Sequence, residues 1–329
     1  MQELQEREKQ FLVLKENSKV DDIFRECIMP GYNVYKDIMD KLPSKCLLYL
    51  CPYVGTGDVY LAAMYMRAYA KKNQHKEFCA VVIGKANYKV ASLFGFEYVI
   101  SITQWEADCL TRLYMVMGAE NVQIKIMHHH PPQMYCGILE NLRNINELSF
   151  TDLYLANVFR LDLIKDKQLP TFNYSEDELK EIMKENELKK GKTVIISPYA
   201  NTLPSLPQWV WENLADKIKK KGYCVCTNIG NPTEQAIKGT IPLRFEFSVS
   251  VPLLEMCGYF IGIRSGLCDI ISSAKCKKII IYQPYLFWGE GTNYDYFSLN
   301  KIGFCEDAIE VSYEGIEFLK LIDEILNNF

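Results

Sequence analysis

The chain alternates short, continuously apolar runs with longer amphipathic ones. The first run, Cys46-Leu47-Leu48-Tyr49-Leu50-Cys51, is apolar at every position and stops at Pro52, the pattern of a strand buried on both faces. Further strands are predicted at 80–83, 98–102 and 122–127, with helical stretches between, the first over 59–71. Strands alternating with helices of this length predict βαβ units and a parallel sheet. Ahead of them, the segment ending near Lys41 reads as two helices of mixed charge.

A largely polar stretch, 165–174, holds Pro170 and precedes a charged helix predicted over 176–188; it reads as a linker. The alternation then restarts. Strands are predicted at 193–196, 223–227, 259–263 and 278–282, and helices at 208–221, 251–257, 265–274 and 314–328. No short repeat relates the two halves, yet their architecture is the same. A length of 329 residues, at about 150 per domain, also suggests two domains. The expectation is an α/β protein of two doubly wound Rossmann-like domains, 1–165 and 166–329, facing a central cleft. Ligands of such sheets bind beyond the carboxyl ends of the strands. That rule selects the loops after Cys51, Met127, Ile196, Thr227, Ile263 and Tyr282.

Composition narrows the partners. Apolar residues make up 49% and charged residues 24%, ordinary globular values. A net charge of −4 supplies no basic field for a phosphate backbone, so nucleic acid is not an expected partner. No apolar run approaches the roughly 18 residues that would span a bilayer. The first thirty residues carry Glu3, Glu6, Arg7, Glu8, Lys9, Asp21 and Asp22, which does not fit a secretory signal. A cytoplasmic location is expected. The twelve cysteines lie scattered from Cys27 to Cys305 without a CxxC pair, so they read as buried thiols rather than zinc ligands or disulfides.

Several of the selected loops hold candidate chemistry. Gly55-Thr56-Gly57-Asp58 follows the first strand, but position 60 is Tyr60 rather than glycine, and the second strand ends Ile83-Gly84-Lys85 with no carboxylate. The dinucleotide fingerprint is therefore incomplete, and no Walker A pattern is present. What remains is a tight turn presenting Asp58, which would alternatively serve only to cap the helix. His128-His129-His130 follows the fourth strand. Three adjacent histidines without a second ligand cluster make a poor metal site; His128 and His130 read as sugar- or phosphate-bonding groups or as a structural loop.

In the second half, Ile263-Arg264-Ser265-Gly266-Leu267 ends a strand and opens a helix. Free N–H groups at Ser265, Gly266 and Leu267 would suit a diphosphate, with Arg264 as a forked charge beside them; the alternative is a capped core helix with Arg264 on the surface. Ser197, Asn201 and Glu234 occupy the corresponding earlier loops, Glu234 as a ribose acceptor or as a solvated carboxylate. Tyr282, Tyr285, Phe287, Trp288, Tyr294, Tyr296 and Phe297 crowd the last loop, as a stacking surface or as packing.

These positions resemble the bacterial GT-B glycosyltransferases, closest to the heptosyltransferase-like family (glycosyltransferase family 9). Gly55, Gly57 and Asp58 match that family's Gly-x-Gly-Asp loop, Gly230 and Glu234 its Gly-x-x-x-Glu element, Ser265 and Gly266 its Ser-Gly turn, and Trp209 or Trp211 the tryptophan near a helix start. The departures are Arg264 where the family has Asp, Asp269 where it has His, and Ser205-Leu206-Pro207-Gln208 where it places a lysine. The resemblance implies transfer of a sugar from a nucleotide-diphosphate donor to a glycan or glycoprotein acceptor, with inversion and without a metal, in bacterial surface polysaccharide or glycoconjugate synthesis. No cofactor is implied, the nucleotide-sugar being a substrate. Asp58 would be the base; Gly55, Thr56, Gly57, His128 and His130 would lie on the acceptor side; Arg264, Ser265, Gly266, Leu267, Ser197, Asn201 and Glu234 would hold the donor. Closure would hinge near Pro170. Donor base, sugar, acceptor and oligomeric state are left open, as is a peripheral membrane or protein partner. So are two other readings: a UDP-sugar epimerase, and a non-catalytic partner subunit of a glycan assembly complex.

Overall fold

A computed structural model describes residues 6, 24–127, 149–161, 167–201, 203–284, 292–313 and 317–329. The chain divides into two compact units, Met1–His128 with Val158–Leu169, and His129–Asn157 with Pro170–Phe329.

In the first unit a wide turn, Phe24–Ile28, leads into α1 (Met29–Met39). Four parallel strands follow, β1 (Leu47–Cys51), β2 (Phe78–Ile83), β3 (Tyr98–Ile102) and β4 (Ile124–Ile126), in the order β3-β2-β1-β4. Helices α2 (Thr56–Lys72), α3 (Gly84–Ser92) and α4 (Gln104–Met117) alternate with them. Because helices cover a parallel sheet on both faces, its inner strands are apolar throughout; Leu48 to Cys51 and Cys79 to Ile83 are all buried. Gly31 lets α1 lie directly on α4, since a Cβ there would strike the Cys109 carbonyl. Thr103 caps α4 in a reciprocal capping box with Glu106. Arg160 and Gln168 return the chain to this unit: Lys72 Nζ donates to the Arg160 carbonyl and Gln168 N to the Met64 carbonyl.

In the second unit α5 (Phe150–Tyr154) is held by Phe150, edge-on to Phe297 at 5.3 Å, and by Thr151 Oγ1 donating to the Ile302 carbonyl at 3.1 Å. Then come α6 (Glu176–Glu185), β5 (Thr193–Ser197), α7 (Gln208–Lys220), β6 (Cys224–Asn228), β7 (Ile241–Leu243), α8 (Phe247–Cys257), β8 (Gly258–Ile263), α9 (Gly266–Ile270), β9 (Lys277–Tyr282), α10 (Asn293–Phe297), β10 (Ile309–Ser312) and α11 (Phe318–Leu326). The strands form one parallel sheet in the order β10-β9-β8-β5-β6-β7. Trp211, Leu214 and Ile218 of α7 and Leu321, Ile322 and Ile325 of α11 pack on Val194, Ile196, Ile261, Ile279 and Ile281.

The α/β architecture with two Rossmann-like parallel sheets follows the hydrophobic pattern. Two edge strands, β7 and β10, were not predicted, because Pro242 and Glu310 interrupt their apolar pattern. Pro242 is tolerated at the edge of a sheet, where a missing donor faces no partner. Helix α2 begins at Thr56, three residues earlier than predicted, and α9 ends at Ile270 rather than 274. The cysteines among the described residues are free thiols, mostly buried.

One buried polar contact ties the core of the first unit to its surface. Tyr49 is fully buried, stacks on Phe78 at 4.4 Å and meets His75 Nδ1 through its hydroxyl at 2.6 Å. Burial raises the phenol pKa, and burial with the Lys125 charge lowers that of the imidazole. The neutral ring is thus the form that the fold favours. The unfolded chain takes up a proton first, at about pH 6.5, so this contribution is complete above that pH and is lost progressively as the pH falls from there through the lower folded value. Urea unfolding between pH 5 and 8 should show a midpoint that drops on the acid side, and His75→Asn should flatten that part of the profile.

Candidate functional site

Each sheet reverses its strand order beside its first strand, between β5 and β8 in the second unit and between β1 and β4 in the first. At such a reversal the crossovers diverge to opposite faces and leave a crevice at the carboxyl ends. In the second unit the register sets Ser197 opposite Gly262. Ser197 is buried, and its Oγ accepts a bond from Asn228 Nδ2 at 3.3 Å. Tyr199 OH donates to the Gln235 carbonyl at 2.7 Å and Gln283 Nε2 to the Pro204 carbonyl. The loops after β5, β6 and β9 are therefore tied to one another. Asn201 is exposed on the first of them.

Glu234 folds its own loop. Its Oε2 accepts from the N–H groups of Gly230 at 2.7 Å and Asn231 at 3.2 Å, and its Oε1 from Asn231 Nδ2 at 3.2 Å. The Gly-x-x-x-Glu spacing closes a turn that precedes β7, not a helix. Oε2 has both acceptor positions filled, while Oε1 can still accept one further bond.

The turn after β8 is the most rigidly built part of the site. Arg264 and Asp269 form a bidentate ion pair, Nη2 to Oδ1 at 2.6 Å and Nη1 to Oδ2 at 3.1 Å. Their side chains are only 10% and 5% exposed. Arg264 Nη1 also donates to the Ser265 carbonyl at 2.7 Å and Nε to the Phe297 carbonyl at 2.8 Å. Of five N–H donors in a guanidinium, four are engaged inside the protein. Burial raises the Asp269 carboxyl pKa, against the pull of the guanidinium, and burial opposes the Arg264 charge while Asp269 more than restores it. Arg264 is accordingly neither on the surface nor displayed as an isolated charge. Ser265, Gly266 and Leu267 form the turn itself, with Cys268 N bonded back to the Ser265 carbonyl at 2.9 Å. The two departures from the family pattern, at 264 and 269, are thus one interaction. Neither periodicity nor motif spacing marks such a pair; only the opposite charges on either side of a Ser-Gly turn hint at it.

Behind the turn, Tyr282 is buried and its hydroxyl donates to Glu310. Glu310 also accepts from Ser298 Oγ at 2.6 Å and Leu299 N at 2.7 Å. Tyr294 meets Tyr282 edge-on at 5.3 Å and Lys301 lies over its ring at 4.4 Å. The described members of the aromatic group are thus packed together; Tyr285, Phe287 and Trp288 lie outside the described residues. Trp211 belongs to the core, while Trp209 is exposed and meets Phe318 edge-on at 5.8 Å.

In the first unit Gly55 is the N-cap of α2, and Thr56, Gly57 and Asp58 form its first turn. The half-buried Asp58 folds back over Gly55, where a Cβ would come 2.6 Å from Asp58 Oδ2. A carboxylate in the first turn is favoured by the helix dipole. Its charge also reaches Cys51, whose thiol is pushed well up by burial and then by Asp58. Asn87, on α3 and 1% exposed, donates to the carbonyls of Tyr53 at 2.8 Å and Val54 at 3.2 Å and so fixes the approach to this turn. The sequence pattern gave no reason to single out Asn87. His128 and His130 lie outside the described residues. Among the described residues no group of three or more metal-ligating side chains comes together, and no helix is long and apolar enough to cross a membrane.

Comparison with solved structures gives this fold a class, that of the GT-B glycosyltransferases. The glycosyl transferase family 9 protein of Veillonella parvula is similar with a TM-score of 0.51 and 13% identity, over 87% of this chain and 90% of its own. The ADP-heptose LPS heptosyltransferase II of E. coli is similar with a TM-score of 0.54 and 13% identity, over 86% and 98%. The E. coli heptosyltransferase WaaC, solved with ADP, gives 0.52 and 10%, over 86% and 100%. At these identities the likeness is one of fold. No family model and no curated protein matches the sequence.

The bonds of Glu234 yield a local prediction. Glu234→Ala removes three accepted hydrogen bonds from an edge turn, so amide exchange across 229–236 should accelerate at least tenfold. The thermal midpoint should move by no more than a few degrees, because the core beneath it is untouched.

Proposed function

We propose that this chain is a glycosyltransferase that moves a sugar from a nucleoside-diphosphate donor to a glycan or glycoprotein acceptor, with inversion at the anomeric carbon and no metal requirement. The observation that carries the reading is the Ser265–Gly266 turn at the strand-order reversal of the second sheet, in a fold shared along most of its length with family 9 transferases. The likeness to a heptosyltransferase solved with ADP favours a nucleoside diphosphate. Surface polysaccharide or glycoconjugate synthesis in the cytoplasm is the setting that accords with these relatives.

In this reading the donor diphosphate meets the N–H groups of Gly266 and Leu267, with Ser265 beside them. Fixed backbone dipoles of this kind stabilise charge developing on a leaving group without reorganising. Ser197 and Asn201, on the β5 loop, and Glu234 face the nucleoside. Glu234 retains acceptor capacity for ribose hydroxyls while closing its turn. Asp58 is the base. It takes the proton of the acceptor hydroxyl as that oxygen attacks the anomeric carbon, and the bond from that carbon to the phosphate oxygen breaks with its electron pair leaving on the diphosphate. Gly55, Thr56 and Gly57 shape the acceptor side of the turn.

A thermal-shift titration with UDP, GDP, ADP, dTDP and CMP, with and without EDTA, tests the reading. One nucleoside diphosphate should raise the midpoint, equally with EDTA present. A rise with none of them would overturn donor binding and favour a partner subunit without turnover. Asp58→Asn should abolish transfer, by at least a hundredfold, while leaving donor affinity within about twofold. Joint loss of both would refute the base assignment.

A further inference from the structure

We propose that Arg264 and Asp269 are positioning residues, which hold the Ser265–Gly266 turn in shape from behind instead of presenting the guanidinium to the donor. The proposal rests on the donor-binding reading for what the turn receives, and on geometry for how the turn is held. Three observations carry it. Four guanidinium donors are occupied, two by Asp269 and one each by the Ser265 and Phe297 carbonyls. The Ser265 carbonyl belongs to the turn itself and also accepts from Cys268 N, so the arginine grips the turn and not merely its surroundings. The Phe297 carbonyl carries the grip to a second anchor, because the next residues, Ser298 and Leu299, are fixed by Glu310, which also receives the Tyr282 hydroxyl.

Charge arithmetic supports the same role. A bidentate pair carries no net charge, so Arg264 adds little attraction for a diphosphate while Asp269 faces it across 2.6 Å. Its value to the site is geometric: a planar fork locked at both ends leaves the turn one arrangement. A guanidinium serving as a phosphate ligand would need its donors directed outward, and removal of Asp269 would free them. A positioning arginine responds in the opposite sense, since losing Asp269 loosens its hold. That difference in sign makes the proposal testable.

The test compares the wild-type chain, Asp269→Asn, and an apolar replacement of the whole pair, Arg264→Met with Asp269→Leu. The apolar pair is included because filling a buried ion-pair site with hydrophobic groups commonly preserves the fold even where a single change does not. Two readouts are taken: affinity for the nucleoside diphosphate found to bind and for its nucleoside, and amide exchange across 264–270. Asp269→Asn should weaken the diphosphate at least tenfold, leave the nucleoside within about twofold, and accelerate exchange at 264–270 with little effect elsewhere. The apolar pair should do the same at an unchanged thermal midpoint; should Asp269→Asn not fold, exchange at 264–270 in the apolar pair decides, because loss of the guanidinium would weaken the diphosphate under either role. Diphosphate binding kept or tightened in Asp269→Asn and lost only with Arg264 would make the guanidinium a ligand and overturn the proposal. So would unchanged exchange at 264–270, and so would equal losses for diphosphate and nucleoside, which mark a purely structural pair. If the wild-type chain binds no nucleotide, the transferase reading falls, and the exchange measurement alone then decides whether the pair holds the turn.

Discussion

A parallel sheet has to be covered on both faces, and its crossovers are almost all right-handed. Helices therefore reach the second face only if the strand order reverses somewhere. In this chain both sheets reverse beside their first strand, at β1 with β4 and at β5 with β8. The position of each candidate turn follows from that. Gly55 to Asp58 leaves β1, the turn at Ser265 leaves β8, and Ser197 ends β5. Apolar strands such as Val194-Ile195-Ile196 and Ile279-Ile280-Ile281 are what require covering on both sides, so the placement of the polar chemistry is a by-product of burying isoleucine and valine.

The two turns solve different electrostatic problems. Asp58 sits in the first turn of a long helix, where the dipole offsets its charge, and lies over a glycine that has no side chain to displace it. Around β8 the charges are internal. Arg264 and Asp269 neutralise one another out of water, and the carbonyls of Ser265 and Phe297 accept two of the remaining guanidinium donors. Buried pairs of this kind contribute little net stability but are costly to break, by about 3–5 kcal/mol when one partner is removed. The loop they hold is consequently specified more by geometry than by attraction.

How far the sequence can be read depends on whether the signal is periodic. Strand 98–102 coincides with β3, an edge strand with Ser101 exposed, and 259–263 falls one residue short of β8, whose last four residues are all buried. Pro242 and Glu310 hid β7 and β10, since an edge strand needs only one apolar face. Gly55 and Gly57 read as loop, although one caps α2 and the other lies within it; glycine propensity cannot separate a cap from a turn. Ser265 and Gly266 were legible as a turn from their place after an apolar strand. The partnership of Arg264 with Asp269 was not, because the contact depends on how the chain bends between them. The hydrogen bonds of Asn87 to Tyr53 and Val54 join residues more than thirty apart, which no local pattern encodes.

The Arg264–Asp269 pair also bears on how such a chain drifts. The family pattern places Asp and His where this chain has Arg and Asp, so an acidic group lies on one side of the turn there and on the other side here. Changing either position alone passes through a sequence with an uncompensated charge at a site 5–10% exposed. The two sites can therefore diverge only together, or by way of an intermediate in which both are uncharged. Co-dependence of this type breaks a motif at two positions in one step while leaving the backbone in place.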